Sequence, residues 1–177
     1  MTSTGKVSIG YQLHGEGKKK IIALHSWMDD AESWNTTIPF LNTNEFSYAF
    51  MDVRGYGTSR GLKGMYNSDE IAADVFQLAD DLGWREFYLI GHSMCGLAAQ
   101  KAALLDTGMR IRKIVLITPV SAGGFPADAD TLSFFTSIVQ NEEVAKVAYG
   151  AFTENRLSAH WQGIRAKRHV EVTASEA

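Results

Sequence analysis

Residues 89–96 read LIGHSMCG, an apolar run that stops at a glycine, a histidine and a serine before small residues resume. With its approach, EFYLIGHS (86–93), the run has the length of a buried strand. The stretch after it, MCGLAAQKAALLDTG (94–108), is helical, rich in small residues and closed by Gly108. Ser93 therefore stands at a tight strand-to-helix turn. Such a turn strains the serine backbone and pushes its side chain out above the sheet edge. The helix beginning there aims unpaired N–H groups, Met94 first among them, at whatever lies beside the serine.

Outward from this turn the chain alternates strands and helices. KVSIGYQLHG (6–15) alternates apolar and polar residues and predicts an early strand or half-hairpin. KKIIALHS (19–26) is a short apolar run typical of a strand covered on both faces, and ESWNTTIPFLNT (32–43) predicts a short helix or helical turn around Pro39. FSYAFMDVRGYGTS (46–59) is another apolar run, closed by a glycine loop. NSDEIAADVFQLADDLG (67–83) predicts a helix capped by Asn67 or Ser68, with Ile71, Val75, Leu78 and Leu82 on one face and Gly83 as its stop. IRKIVLITPVS (111–121) predicts one more buried strand, stopped by Pro119. This order implies an α/β fold, a parallel-type sheet flanked by helices on both faces, with functional loops at the carboxyl ends of the strands.

After VSAGGFPADAD (120–130) the pattern becomes helical. DTLSFFTSIVQ (130–140), EEVAKVAYGAF (142–152) and the more basic SAHWQGIRAKRHVEVTASEA (158–177) predict three helices. The middle one should present Val144, Val147, Ala148, Ala151 and Phe152 as one apolar face. No strand is expected after Thr118. Residues 1–124 thus read as the core and 125–177 as a helical segment.

Bulk properties exclude several classes. The 177 residues suit one domain, and the net charge of −3 gives no reason to expect a nucleic-acid partner. No apolar stretch is long enough to span a bilayer, so no membrane partner is expected, and the start has no apolar signal core. Cys95 is the single cysteine, which fits a reducing, cytoplasmic setting. No cofactor motif and no metal site are read. GHSMCG lacks the lysine and glycine spacing of a phosphate loop.

Three stretches together resemble the α/β-hydrolase family, in its serine-nucleophile, esterase-like branch. Its Gly-x-Ser-x-Gly elbow maps onto Gly91, His92, Ser93, Met94 and Cys95, with cysteine where glycine is usual and Gly96 just after. Cysteine is small, so the turn should survive. LHSWMDDAESW (24–34) is similar to the family's His-Gly-x oxyanion loop, with Ser26 in the glycine position, and DVRGYGTS (52–59) matches its Asp-x-Arg-Gly-x-Gly-x-Ser loop. The resemblance implies Ser93 as nucleophile and the backbone N–H groups of Trp27 and Met94 as oxyanion donors. His25, Gly91, His92 and Gly96 would support loop and elbow. His25 is expected to organise its loop, His92 to point away from the reacting face, and Asp52 and Arg54 to anchor theirs. Trp34, Phe134 and Phe135 read as packing residues, and Cys95 as a packed small hydrophobe.

By the same resemblance the substrate is a small molecule with a carboxylic ester or similar acyl bond, and the helical segment 125–177 is an incomplete cap. A serine at the elbow argues against dehalogenase and epoxide-hydrolase chemistry; thioesterase, lactonase, carbon–carbon hydrolase and perhydrolase outcomes stay open. A serine nucleophile also needs a base and an orienting acid, which the family carries on later strands. Those strands are not found, so the chain reads as the amino-terminal part of such a hydrolase. His14, His25, His92, His160 and His169 match no family catalytic position, nor do Asp29, Asp30 and Asp52 as orienting acids. Two readings follow: a serine hydrolase whose triad is incomplete here, or a non-catalytic hydrolase-fold chain that binds a small molecule or a complementary subunit. In either, the strand KIVLIT (113–118) is left as an open apolar edge, a template for self-association or a complementing chain.

Overall fold

A computed structural model of the chain describes residues 8–175 and 177; Lys6 and Val7 of the expected first strand, and Glu176 of the tail, lie outside them. Five strands form one sheet: β1 (Tyr11–His14), β2 (Lys19–Leu24), β3 (Phe46–Met51), β4 (Phe87–His92) and β5 (Ile111–Ile117), in the spatial order β1-β3-β2-β4-β5. β2 to β5 run parallel, and only β1 pairs antiparallel, against β3.

Side-chain alternation along the central strands feeds two cores. Ile22, Leu24, Ala49, Met51 and Leu89 point to the face covered by α1 (Ser68–Asp81) and α2 (Met94–Leu105). Ile21, Ala23, Tyr48 and Phe50 point to the other, covered by a 3₁₀ helix over Ala31–Phe40 through Ala31, Trp34 and Ile38. The expected helical turn around Pro39 is thus ten residues of 3₁₀ helix. α1 starts as its sequence implies: the Asn67 carboxamide oxygen accepts from the Glu70 N–H, and Ile71, Val75 and Leu78 are buried. Gly83, at a φ of +68°, follows its last turn.

Chain order sets the crevice. β2 leads to β3 on one side, while β4 and β5 lie on the other, so the loops after β2 and β4 diverge from neighbouring strands and leave space between them. Over this opening lie α3 (Ala129–Gln140), α4 (Glu142–Phe152) and α5 (Ala159–Val172). They form their own small core of Ile138, Ala145, Ala148, Tyr149 and Ala166, which also takes in Met28 from the loop after β2.

Two expectations need correction. The buried side of α4 is Ala145, Ala148 and Tyr149; Val147, Ala151 and Phe152 are exposed, Phe152 at the cavity rim. Tyr149 wins because its ring packs while its hydroxyl reaches the Met28 carbonyl at 2.9 Å. β5 is not a buried strand either. It is the sheet's last, its Val115 and Ile117 are 52 % and 38 % exposed, and its outer edge has no partner strand among the described residues. Among the described residues no strand follows it, but Thr173 forms an isolated bridge with Tyr56, and Ala174 N–H donates to Gly55 O at 2.7 Å. The small polar tail therefore docks on the 52–59 loop. No helix among the described residues is long and apolar enough to cross a membrane.

Candidate active site

Ser93 is the first point of construction. It connects β4 to α2 with φ +53° and ψ −118°, a conformation that L residues rarely adopt. Hydrogen bonds hold it there: its N–H donates to Ile117 O at 3.0 Å, and its carbonyl accepts from Gly96 N–H at 2.9 Å and Val120 N–H at 3.0 Å. The flanking glycines are required by space. A Cβ on Gly91 would lie 2.5 Å from the Cys95 carbonyl oxygen and 2.7 Å from Ala99 Cβ; one on Gly96 would lie 2.6 Å from Pro119 Cβ. Cys95 itself is accommodated, fully buried in the main core, where burial pushes its thiol up to about 12. At that value it is an inert packing group rather than a reactive thiol.

Beside the turn is the loop after β2. His25 is fully buried; its Nε2 accepts from Val53 N–H at 3.1 Å, which leaves the proton on Nδ1, 2.8 Å from the Ser26 carbonyl that accepts it. Burial holds this imidazole below its ordinary range. Both ring nitrogens are used, so His25 ties the ends of β2 and β3 together. Asp52 does the same from β3, accepting from Ala31 N–H and Thr58 N–H, both at 2.8 Å. Arg54 makes two hydrogen bonds to Asp74, at 2.7 and 3.0 Å.

Asp29 and Asp30 orient no histidine. Asp29 pairs with Arg165 at 2.5 Å; Asp30, buried, pairs with Arg168, which also reaches Glu32 at 2.8 Å. Together with Tyr149, these arginines of α5 fasten the helical layer onto residues 28–32. Sequence reasoning did not single out Arg165, Arg168 or Tyr149. Their signal was the basic character of α5 opposite two consecutive acids, and no sequence spacing joins positions so far apart.

A cavity of about 1110 Å³ lies between the helical layer and the sheet. Ser93, Met94, Ser26 and Trp27 line its floor; Phe125, Phe135, Tyr149, Phe152 and Trp161 line its roof. The backbone N–H groups of Trp27 and Met94 donate no hydrogen bond to another described residue. His92 also lines the cavity, half-buried, against the expectation that strand alternation would turn it away. His92 is the last residue of β4, whose alternation puts it on the same face as Tyr88 and Ile90, and the cavity borders that face. Trp34 and Phe135 pack as expected, on Phe50 and Trp27 respectively, yet both also line the cavity.

No histidine among the described residues hydrogen-bonds the Ser93 hydroxyl. His169 is buried, 6.1 Å from the Trp27 ring, with Nδ1 against Thr173 Oγ1 at 3.1 Å and Nε2 without a partner. His160 is exposed at the start of α5. No group of three potential metal ligands is found among the described residues.

A strand–serine–helix turn at the switch point of a mostly parallel sheet, roofed by helices, defines a class of protein. The chain belongs to the alpha/beta hydrolase fold family, whose model matches residues 19–160. It is similar to a pimeloyl-[acyl-carrier protein] methyl ester esterase of Sodalis glossinidius, 34 % identical over 128 residues, 70 % of this chain and 45 % of that protein. A serine hydrolase-like protein of Danio rerio is 32 % identical over 101 residues, 56 % of this chain and 30 % of its own length. The matched chain thus spans less than half of either relative. A solved hydrolase from Oleispira antarctica superposes over 94 % of this chain and 65 % of its own, with a TM-score of 0.78 at 21 % identity, a likeness of fold.

Proposed function

We propose that this chain carries the nucleophile half of a serine hydrolase acting on a carboxylic ester or similar acyl bond of a small molecule. The observation that carries this reading is Ser93, held at positive φ at the cavity floor beside two unengaged backbone N–H groups. In the proposed reaction Ser93 Oγ attacks the carbonyl carbon and gives up its proton to a base. The N–H groups of Trp27 and Met94 hold the oxyanion. The bond to the alcohol breaks, the alcohol leaves with a proton, and water then releases the acid from acyl-Ser93. His25, Gly91, His92 and Gly96 act as supports of loop and turn, and residues from 125 onward as the cap that shapes the pocket. The base and its orienting acid come from outside the described residues. With Cys95 the single cysteine, the proposed setting is the reducing cytoplasm.

One observation favours a second reading. The Ser93 hydroxyl has no histidine partner, as expected of a chain that binds without catalysis, alone or with a complementary chain at the β5 edge. Labelling of the folded chain with a fluorophosphonate probe separates the two. The hydrolase reading expects labelling that Ser93→Ala abolishes; a folded chain that takes no label supports the second.

A further inference from the structure

Walls of the cavity carry information about what fits inside. Seven aromatic side chains line it, those of Trp27, Trp34, Phe125, Phe135, Tyr149, Phe152 and Trp161. Among the described residues its only formally charged side chains are Asp29 and Arg165, which come from the loop after β2 and from α5. These two are spent on each other at 2.5 Å, and both are largely buried. Arg165 additionally lies over the Tyr149 ring, 5.9 Å from its centroid. His92 is the other titratable nitrogen among the lining residues described, and burial lowers its affinity for a proton, which favours the neutral imidazole. What polarity remains comes mostly from hydroxyls, including Ser33, Thr36 and Thr37 of the 3₁₀ helix.

A charged ligand group seated against these walls would give up part of its water and meet no free counter-charge among the lining residues. Leaving such a charge buried without a partner is heavily disfavoured. Flat, apolar ligand groups have the opposite experience, because stacked and edge-on ring contacts add to the burial of apolar surface. The volume, about 1110 Å³, is at the upper end for small-molecule sites and far exceeds what an acetyl ester fills.

We infer that the site takes uncharged esters with a bulky aromatic or branched apolar part, and rejects esters whose far end is a carboxylate. This rests on the reading of Ser93 given above for the word ester, but its selectivity follows from the walls alone. The rejection has a specific cause, the Asp29–Arg165 pair: Arg165 would be a carboxylate receptor if Asp29 did not already occupy it.

Binding to the full chain carrying Ser93→Ala tests this without turnover. Two methyl esters of similar length serve as probes, methyl 4-phenylbutanoate and monomethyl adipate, each followed by the quench of tryptophan fluorescence. The neutral aromatic ester should bind at least about tenfold tighter, a difference of one buried unpaired charge at its mildest. Adding Asp29→Asn should free Arg165 and tighten monomethyl adipate by about tenfold while leaving the neutral ester nearly unchanged. Because that variant alters a loop, Phe152→Ala provides a second check: Phe152 is 58 % exposed, so its loss spares the core, and it should weaken only the aromatic ester. Equal or tighter binding of monomethyl adipate to the Ser93→Ala chain overturns the inference, as does failure of the neutral ester to bind. Fluorophosphonate labelling without the binding preference would sink the substrate class and spare the nucleophile. The preference without labelling would do the reverse.

Discussion

At the scale of single residues, Ser93 shows how a fold stores strain where it is useful. A non-glycine residue at positive φ costs on the order of 1–3 kcal/mol and persists only where its surroundings over-determine it. Here three backbone hydrogen bonds and the close approach of Gly91 and Gly96 do so. Replacing Ser93 by glycine removes the strain, and replacing it by alanine keeps it. The glycine variant should therefore exceed the alanine variant in stability by about 1 kcal/mol in urea unfolding. An alanine variant as stable as the glycine one would mean that the turn is relaxed. The elbow was legible in LIGHSMCG because its demands are local: a strand, a turn that needs small residues, and a helix. Cys95 in place of glycine was legible too, since a buried side chain of that size has room in the core.

At the scale of elements, α5 is the piece whose role its own sequence least reveals. It reads only as a third, more basic helix, yet Arg165 and Arg168 are bound to Asp29 and Asp30 in the loop after β2, and His169 is buried between Trp27 and Thr173. Burial, helped by the charge of Arg165, lowers the His169 pKa to about 4. Its ordinary value is 6.5. The unfolded chain therefore takes up a proton between those values while the folded one does not, so stability is fully present above pH 6.5 and falls as pH drops through about 4. One such group contributes at most about 1.4 kcal/mol per pH unit across that window. His25, lowered by its own burial, acts in the same sense. Thermal melts from pH 7 to 4 should show Tm falling with acid, and less steeply in His169→Leu. An unchanged slope in that variant would remove His169 from the account.

At the scale of the whole molecule, the sheet is asymmetric. β1 closes one side as a short antiparallel strand, while β5 has no partner strand on its outer side among the described residues, with Val115 and Ile117 exposed. An apolar edge of this kind pairs with other strands unless something covers it. We expect these 177 residues to self-associate in a concentration-dependent way during size-exclusion chromatography, with Val115→Lys shifting the equilibrium to monomer. A monodisperse monomer of the unaltered chain would count against it. In the proposed reaction the proton acceptor of Ser93 likewise comes from outside the described residues.

The sequence by itself determined the sheet's strands, the capped α1, the serine turn and the two supporting loops, because each is encoded by neighbours in the chain: periodicity, caps, glycines and short apolar runs. It also marked Asp52 and His25 as loop anchors, whose hydrogen bonds the fold realises within adjoining strand ends. Only the tertiary structure decided the rest. It turned α4 on Tyr149 rather than on its valines, brought His92 to the cavity wall, buried His169, and cancelled the charge of Arg165 against Asp29. Each of these depends on which distant surface an element meets, and pairing across more than a hundred residues leaves no period or spacing in the sequence.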